Sequence, residues 1–153
     1  MQFTFRSMNE GDARTIAGWH YQEPYTFYDM DQDADDLAEL LDPRSWIKTY
    51  YAVVDEPGEL VGFFAFKRVG DVVDVGLGLR PDLTGSGIGL PLLLAGLNFA
   101  SATFSPTTFR LAVATFNTRA IRVYERAGFE RGKVYMHHTN GGEYEFMDMT
   151  RAR

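Results

Sequence analysis

Cysteine is absent from the 153 residues. That excludes a disulfide framework, a thiolate nucleophile and any zinc or iron–sulfur centre built on thiolates. Long hydrophobic runs are missing too. The longest, Leu90 to Leu97, falls far short of the roughly 20 residues a membrane helix needs. The opening stretch MQFTFRSMNEGDA has no apolar signal core, so no membrane partner is expected. Cations are in the minority, 15 Lys and Arg against 21 Asp and Glu, for a net charge of −6. Nucleic-acid binding rests on clustered Lys and Arg, so none is expected. The 3 histidines (His20, His137, His138) lack metal-ligand spacing, and no metal is assigned. No internal repeat, low-complexity tract or linker interrupts the chain. The expectation is one soluble, cytoplasmic domain over residues 1–153, with 45% hydrophobic residues to build its core.

The acids are unevenly placed. Glu23, Asp29, Asp31, Asp33, Asp35, Asp36, Glu39 and Asp42 fall between Tyr21 and Pro43 with no basic residue among them. Such a run is either a solvated helix face or a field that attracts a cationic partner.

Turn and cap chemistry divides the rest. Phe3-Thr4-Phe5 alternates as a first strand. Ser7 or Asn9 caps a helix starting near Glu10, with Ala13, Ile16 and Ala17 on its apolar stripe. His20 to Met30, rich in Tyr, Phe and acids, reads as a long loop. Asp33 or Asp35 caps a second helix that Pro43 stops. Lys48–Val54, Glu59–Phe66 and Val72–Leu79 are strands separated by Asp55-Glu56-Pro57-Gly58 and Gly70-Asp71, an antiparallel meander. A helix follows over about Ile88–Phe104, then a strand at Phe109–Ala114. Thr118–Ala127 is a short helix closed by Gly128. Val134–His138 and Glu143–Met149 flank the hairpin signal Asn140-Gly141-Gly142. The order β-α-α-β-β-β-α-β-α-β-β predicts an α/β (α+β) fold. Its mixed, mostly antiparallel sheet has about seven strands, with helices on both faces.

The strongest local feature is strand, Gly-rich loop, helix. Thr84-Gly85-Ser86-Gly87-Ile88-Gly89 joins the strand ending at Leu79 to the helix holding Leu90 and Pro91. Pro91 fits only a first helical turn, so the glycines sit at the helix N-terminus. Unpaired N–H groups and the positive dipole end there suit an anion such as phosphate. An ordinary strand-to-helix turn is the plainer alternative. No Gly-Lys-Ser/Thr follows, so this is not a Walker loop, and the third glycine of a dinucleotide fingerprint is missing. Nor is there the nucleophile elbow of a Ser-His-Asp hydrolase.

A second motif, Asn117-Thr118-Arg119-Ala120-Ile121-Arg122-Val123-Tyr124-Glu125-Arg126-Ala127-Gly128-Phe129, makes the pattern specific. With Leu79-Arg80-Pro81, Gly87 and Gly89 before it, the chain resembles the GNAT superfamily of N-acetyltransferases. That family pairs Arg/Gln-x-x-Gly-x-Gly/Ala at a helix start with a later Asn-x-x-Ala-x-x-x-Tyr-x-x-x-Gly-Phe. The resemblance covers nearly the whole chain. Thr84 departs from it, standing where the family usually carries Arg or Gln.

The resemblance implies acetyl-CoA as co-substrate. Backbone at Gly85, Ser86, Gly87, Ile88, Gly89 and Leu90 would hold its pyrophosphate, with Thr84 beside it. Pantetheine would bond near Leu77 and Leu79, where the strand splays from its neighbour and Gly76 and Gly78 allow close approach. Asn117 would touch the coenzyme arm. Tyr124 would protonate the departing thiolate, where without the family it reads as a half-buried packing residue. For the base, Asp74 is one candidate, either ion-paired or facing the cleft; Glu23 is another, and a water relay a third. Tyr21, Glu23, Tyr25, Phe27, Tyr28 and Asp29, with Tyr135, His137 or His138, would receive a cationic amine, or form an aromatic cluster under a loop. The implied activity is acetyl transfer to a small-molecule amine by direct attack, in a monomer or homodimer. A protein acetyltransferase and a non-catalytic CoA sensor are the rivals.

Overall fold

The computed structural model describes residues 2–153. The chain runs β1 (Thr4–Ser7), α1 (Glu10–Ala17), α2 (Ala34–Leu41), β2 (Tyr50–Val54), β3 (Leu60–Val69), β4 (Val72–Leu79), α3 (Gly89–Phe104), β5 (Thr108–Ala114), α4 (Thr118–Arg126), β6 (Glu130–Thr139) and β7 (Gly142–Ala152). This is the expected order. Short 3-10 turns fill the connections, two of them in the aromatic and acidic stretch before α2. Among the described residues, no helix is long and apolar enough to cross a membrane.

The strands form one 7-stranded sheet in the order β1-β2-β3-β4-β5-β7-β6. Every pairing is antiparallel except β4 with β5. Alternation along β3 sorts its side chains to two sides. Phe64 and Phe66 join a core with Leu92, Leu93 and Leu97 of α3 and Ile121 of α4. Phe63 and Ala65 meet Ala13 and Ile16 of α1 and Leu40 of α2. Leu92 and Leu93 have no exposed surface; truncating either to alanine would cost about 2–5 kcal/mol.

Caps fix where the helices begin. Asn9 accepts from the Asp12 N–H, Asp33 from those of Asp35 and Asp36, and Asn117 from that of Ala120. Some strand limits differ from expectation. β2 starts at Tyr50 because Lys48, at φ 55, is still in a turn. β6 starts at Glu130, ahead of its apolar stretch, because it pairs with β7 as an edge strand through a register shift between Arg131 and Val134.

The β4–β5 pair positions the site. These parallel strands are in register only at Val72–Thr108, Val73–Phe109 and Asp74–Arg110. Beyond that they part, leaving a gap between the ends of both strands. α3 begins at one side of the gap and α4 at the other.

Candidate active site

A cavity of about 1100 Å³ opens at this gap. Its walls include Val75 to Leu79 of β4, Leu111 and Ala112 of β5, the Gly-rich loop, one face of α4, and the aromatic segment before α2. The volume suits a large ligand.

The loop is shaped by Gly85 at φ +74 and Gly87 at φ +87, backbone that side-chain-bearing residues rarely adopt. The N–H of Ser86 donates to the Leu83 carbonyl at 3.3 Å. Those of Gly87, Ile88, Gly89 and Leu90 have no backbone acceptor among the described residues, as expected at a helix start without a side-chain cap. Thr84, Gly85, Gly87, Gly89 and Leu90 line the cavity, whereas Ser86 and Ile88 do not. The Thr84 hydroxyl donates to the Pro81 carbonyl at 2.7 Å.

On β4, Leu77 and Leu79 both line the gap. The Leu79 carbonyl accepts from the Tyr21 hydroxyl at 2.8 Å, and burial pushes that phenol up to about 12. Gly78 also has a packing reason that the sequence did not show. A Cβ there would lie 2.2 Å from the Phe63 ring, so the packing of Phe63 requires the glycine.

Tyr124 faces the cavity from α4, held edge-on against Phe129 with ring centroids 6.2 Å apart. Burial, with Tyr28 nearby, raises its phenol above the ordinary value. The Tyr28 hydroxyl is itself buried and, among the described residues, makes no hydrogen bond of good geometry, although Asn117 and the Ala114 backbone lie close to it. Asn117 is buried beside it, its side-chain oxygen spent on the cap of α4.

The two carboxylates considered as bases stand apart. Asp74 lines the cavity floor, but both of its oxygens accept from Arg110, at 2.6 and 2.9 Å. Glu23 is exposed, accepts from the Thr26 hydroxyl at 2.6 Å, and is not among the lining residues.

Most of the acidic run has local work. Asp29 is buried and accepts from the Tyr21 N–H and pairs with His20, anchoring the aromatic segment. His20, Asp29 and Asp31 bring ligating atoms within 4.8 Å of one another, a grouping that sequence spacing did not suggest. Glu39 pairs with Lys67 at 2.7 Å. Asp36 makes no ion pair among the described residues and stays exposed; partial desolvation together with Asp33 and Glu39 raises its carboxyl. Tyr25, Phe27, Tyr28 and Tyr135 line the same space, as does His137, while His138 pairs outside it with Glu143.

Sequence reasoning passed over Arg110, Arg119, Arg122 and Arg126, all on the cavity wall. The helical spacing of the last three, at i, i+3 and i+7, was the available signal.

Known proteins resemble this arrangement. A family model described as an acetyltransferase (GNAT) domain matches residues 2–130. A mycothiol acetyltransferase of Streptomyces griseus is 32% identical over 120 residues, covering 75% of this chain and 36% of the relative. Another, of Actinosynnema mirum, is 37% identical over 107 residues, covering 66% and 35%. The match thus spans little more than a third of these longer relatives. In fold, the chain is similar to spermidine N-acetyltransferase from Vibrio cholerae in complex with CoA and spermine. There the TM-score is 0.79 and the identity 20%, over 99% of this chain and 95% of that one. With the family's domain matched over most of its length, this chain belongs to the GNAT acetyltransferases.

Proposed function

We propose that this chain transfers an acetyl group from acetyl-CoA to the primary amine of a small, cationic molecule. What supports it is the convergence of three groups on one cavity: the unpaired loop N–H donors, the parted ends of β4 and β5, and the Tyr124 phenol. The loop donors from Gly87 to Leu90 suit a pyrophosphate. Backbone of the parted β4 offers N–H groups to the thioester arm and to the oxyanion that develops on its carbonyl.

The step is a direct displacement. The neutral amine attacks the thioester carbonyl carbon, and a C–N bond replaces the C–S bond. The sulfur takes its proton from Tyr124, a donor that its raised pKa keeps protonated across the working range. The amine's proton leaves to water in the cavity, since Asp74 is held by Arg110 and Glu23 lies outside, and water returns a proton to the Tyr124 oxygen so that the phenol is restored. No covalent enzyme intermediate is involved.

Asp36, with Asp33 and Asp29, gives the acceptor end a negative field, and Trp19, Tyr21 and Phe63 line it with aromatic faces. Two of the relatives named above are mycothiol acetyltransferases, and the similar structure is a spermidine N-acetyltransferase in complex with CoA and spermine, which fits a small-molecule acceptor. A thiol-release assay with acetyl-CoA over polyamines, aminoglycosides, amino sugars, amino acids and N-terminal peptides tests this. Turnover with a cationic small molecule is expected. Turnover with peptides alone would make the acceptor a protein, and tight coenzyme binding without release on any amine would make the chain a sensor.

A further inference from the structure

The Gly-rich loop is electrically neutral. No basic residue lies between Thr84 and Leu90, and the one nearby hydroxyl, that of Thr84, is turned to the Pro81 carbonyl. Backbone donors alone would then face a pyrophosphate, in a protein of net charge −6. A cation is needed close by, and the structure supplies one from another element.

Arg119, in the first turn of α4, brings Nη1 to 3.8 Å from where a Cβ of Gly85 would stand. Its Cζ lies 4.0 Å from the centroid of the Tyr25 ring. Arg6, Arg14, Arg44, Arg80, Arg110 and Arg131 each pair with a carboxylate. Arg119 pairs with none among the described residues, and nor do Arg122 and Arg126 beside it on the cavity wall. The geometry of the contact matters. A guanidinium can spend its flat face on an aromatic ring while its edge N–H groups stay free for phosphate oxygens.

We propose that Arg119 is the phosphate-binding cation of this cleft and that Tyr25 is its positioning residue. Coenzyme binding and the acceptor loop are then coupled through one guanidinium–ring contact. The proposal rests on the acetyl-CoA reading above and deepens it. Tyr25 belongs to the same segment as Tyr21, Phe27, Tyr28 and Asp29, which form the acceptor side of the cavity. Phosphate that fixes Arg119 also fixes Tyr25, and with it the wall against which the amine would lie. Linkage makes the effect reciprocal: loss of the Tyr25 ring weakens coenzyme binding although the ring touches no phosphate.

Calorimetry with CoA and with 3′-dephospho-CoA, joined to hydrogen exchange of residues 20–30, tests both halves. Arg119→Ala is expected to weaken both ligands alike by about tenfold, the scale of one charge-assisted contact, and to abolish the protection of residues 20–30 that CoA induces in the parent. Arg119→Gln keeps the side chain's bulk and is expected to do the same. Tyr25→Leu is expected to weaken both ligands severalfold in the parent and not at all in the Arg119→Ala background. Thr84→Arg added to Arg119→Ala is expected to recover affinity without the protection of residues 20–30. Unchanged affinity in Arg119→Ala overturns the proposal, as does a loss confined to CoA, which would place the guanidinium on the 3′-phosphate. Additive losses for Arg119 and Tyr25 overturn the coupling. A parent that binds neither ligand refutes the coenzyme reading instead, and that result is separate from all of these.

Discussion

Two phenols, Tyr124 and Tyr28, meet in the cleft, and only Tyr124 lies on the helix that follows the strand gap. Burial favours the neutral form of each, so each raised pKa keeps a proton available for donation. Tyr124→Phe retains the ring and its contact with Phe129 while removing the donor. Its kcat is expected to fall roughly 10²-fold, the lower end for a positioned proton donor, with CoA affinity and Tm unchanged. Equal losses in kcat and kcat/KM would place the lost interaction in the transition state. The pH profile carries the same information. A phenol raised above its ordinary 10 cannot give a falling limb below about pH 10, so the parent's rate should climb as the amine deprotonates and then level off. A Phe variant that turns over like the parent would reduce Tyr124 to packing.

Among the elements, α2 and the β6–β7 hairpin are tied by one carboxylate. Asp33 accepts from the N–H groups of Asp35 and Asp36 at 3.0 Å through one oxygen. Through the other it accepts from the Thr139 hydroxyl and the Asn140 N–H, also at 3.0 Å. Asn140 passes the tie on, donating to the Phe27 carbonyl at 2.8 Å. These donors, the Asn140 N–H foremost, hold the Asp33 carboxyl down at about 2. A folded pKa below the unfolded value of about 3.9 gives stability that is complete above pH 4 and drains away as pH falls towards 2. Asp33→Asn keeps one accepting oxygen and turns an amide donor against the others. It is expected to destabilise the fold by about 1 kcal/mol at pH 7, with the gap to the parent narrowing by pH 2 in urea melts. A gap that stays constant with pH would mean that the carboxylate's charge contributes nothing.

That tie also shows where sequence reasoning stopped. The order of the elements was legible because turns and caps are local: Asn9, Asp33, Pro43 and Gly128 announce helix ends within a few residues. The Gly-rich loop was legible through the spacing of its glycines, whereas Tyr124 stood out only through the resemblance of its motif to the GNAT family. Asp33 with Asn140, Tyr21 with Leu79, Asp74 with Arg110 and Arg119 with Tyr25 join elements distant in the chain, and nothing local marks which residue each will meet. Asp74 could be written down as a base or an ion pair, and only its register opposite Arg110 decides which contact it makes. The early start of β6 was hidden for another reason. An exposed edge strand needs backbone pairing and not apolar alternation, so Glu130 to Lys133 carry no strand pattern.

At the scale of the molecule, charge is divided between the two ends of one cavity. Arg119, Arg122 and Arg126 stand on the α4 wall; Asp29, Asp33, Asp36 and Glu39 lie towards α2. A net charge of −6 would favour approach of the proposed cationic acceptor and oppose that of an anionic coenzyme, so on this reading the arginine wall acts locally. Exposed charges are screened over about 8–10 Å at physiological salt, and ionic strength therefore reads the acceptor field directly. KM for a dicationic amine is expected to rise severalfold between 50 and 500 mM salt, that for a monocationic analogue to rise less, and kcat to hold. Asp36→Asn should flatten the dication's slope, because Asp36 lacks the Lys67 partner that Glu39 has and the donors that occupy Asp33. A KM independent of salt for both amines would show that the acceptor is held by aromatic contact and shape, leaving the acidic run as caps, anchors and a solvated helix face.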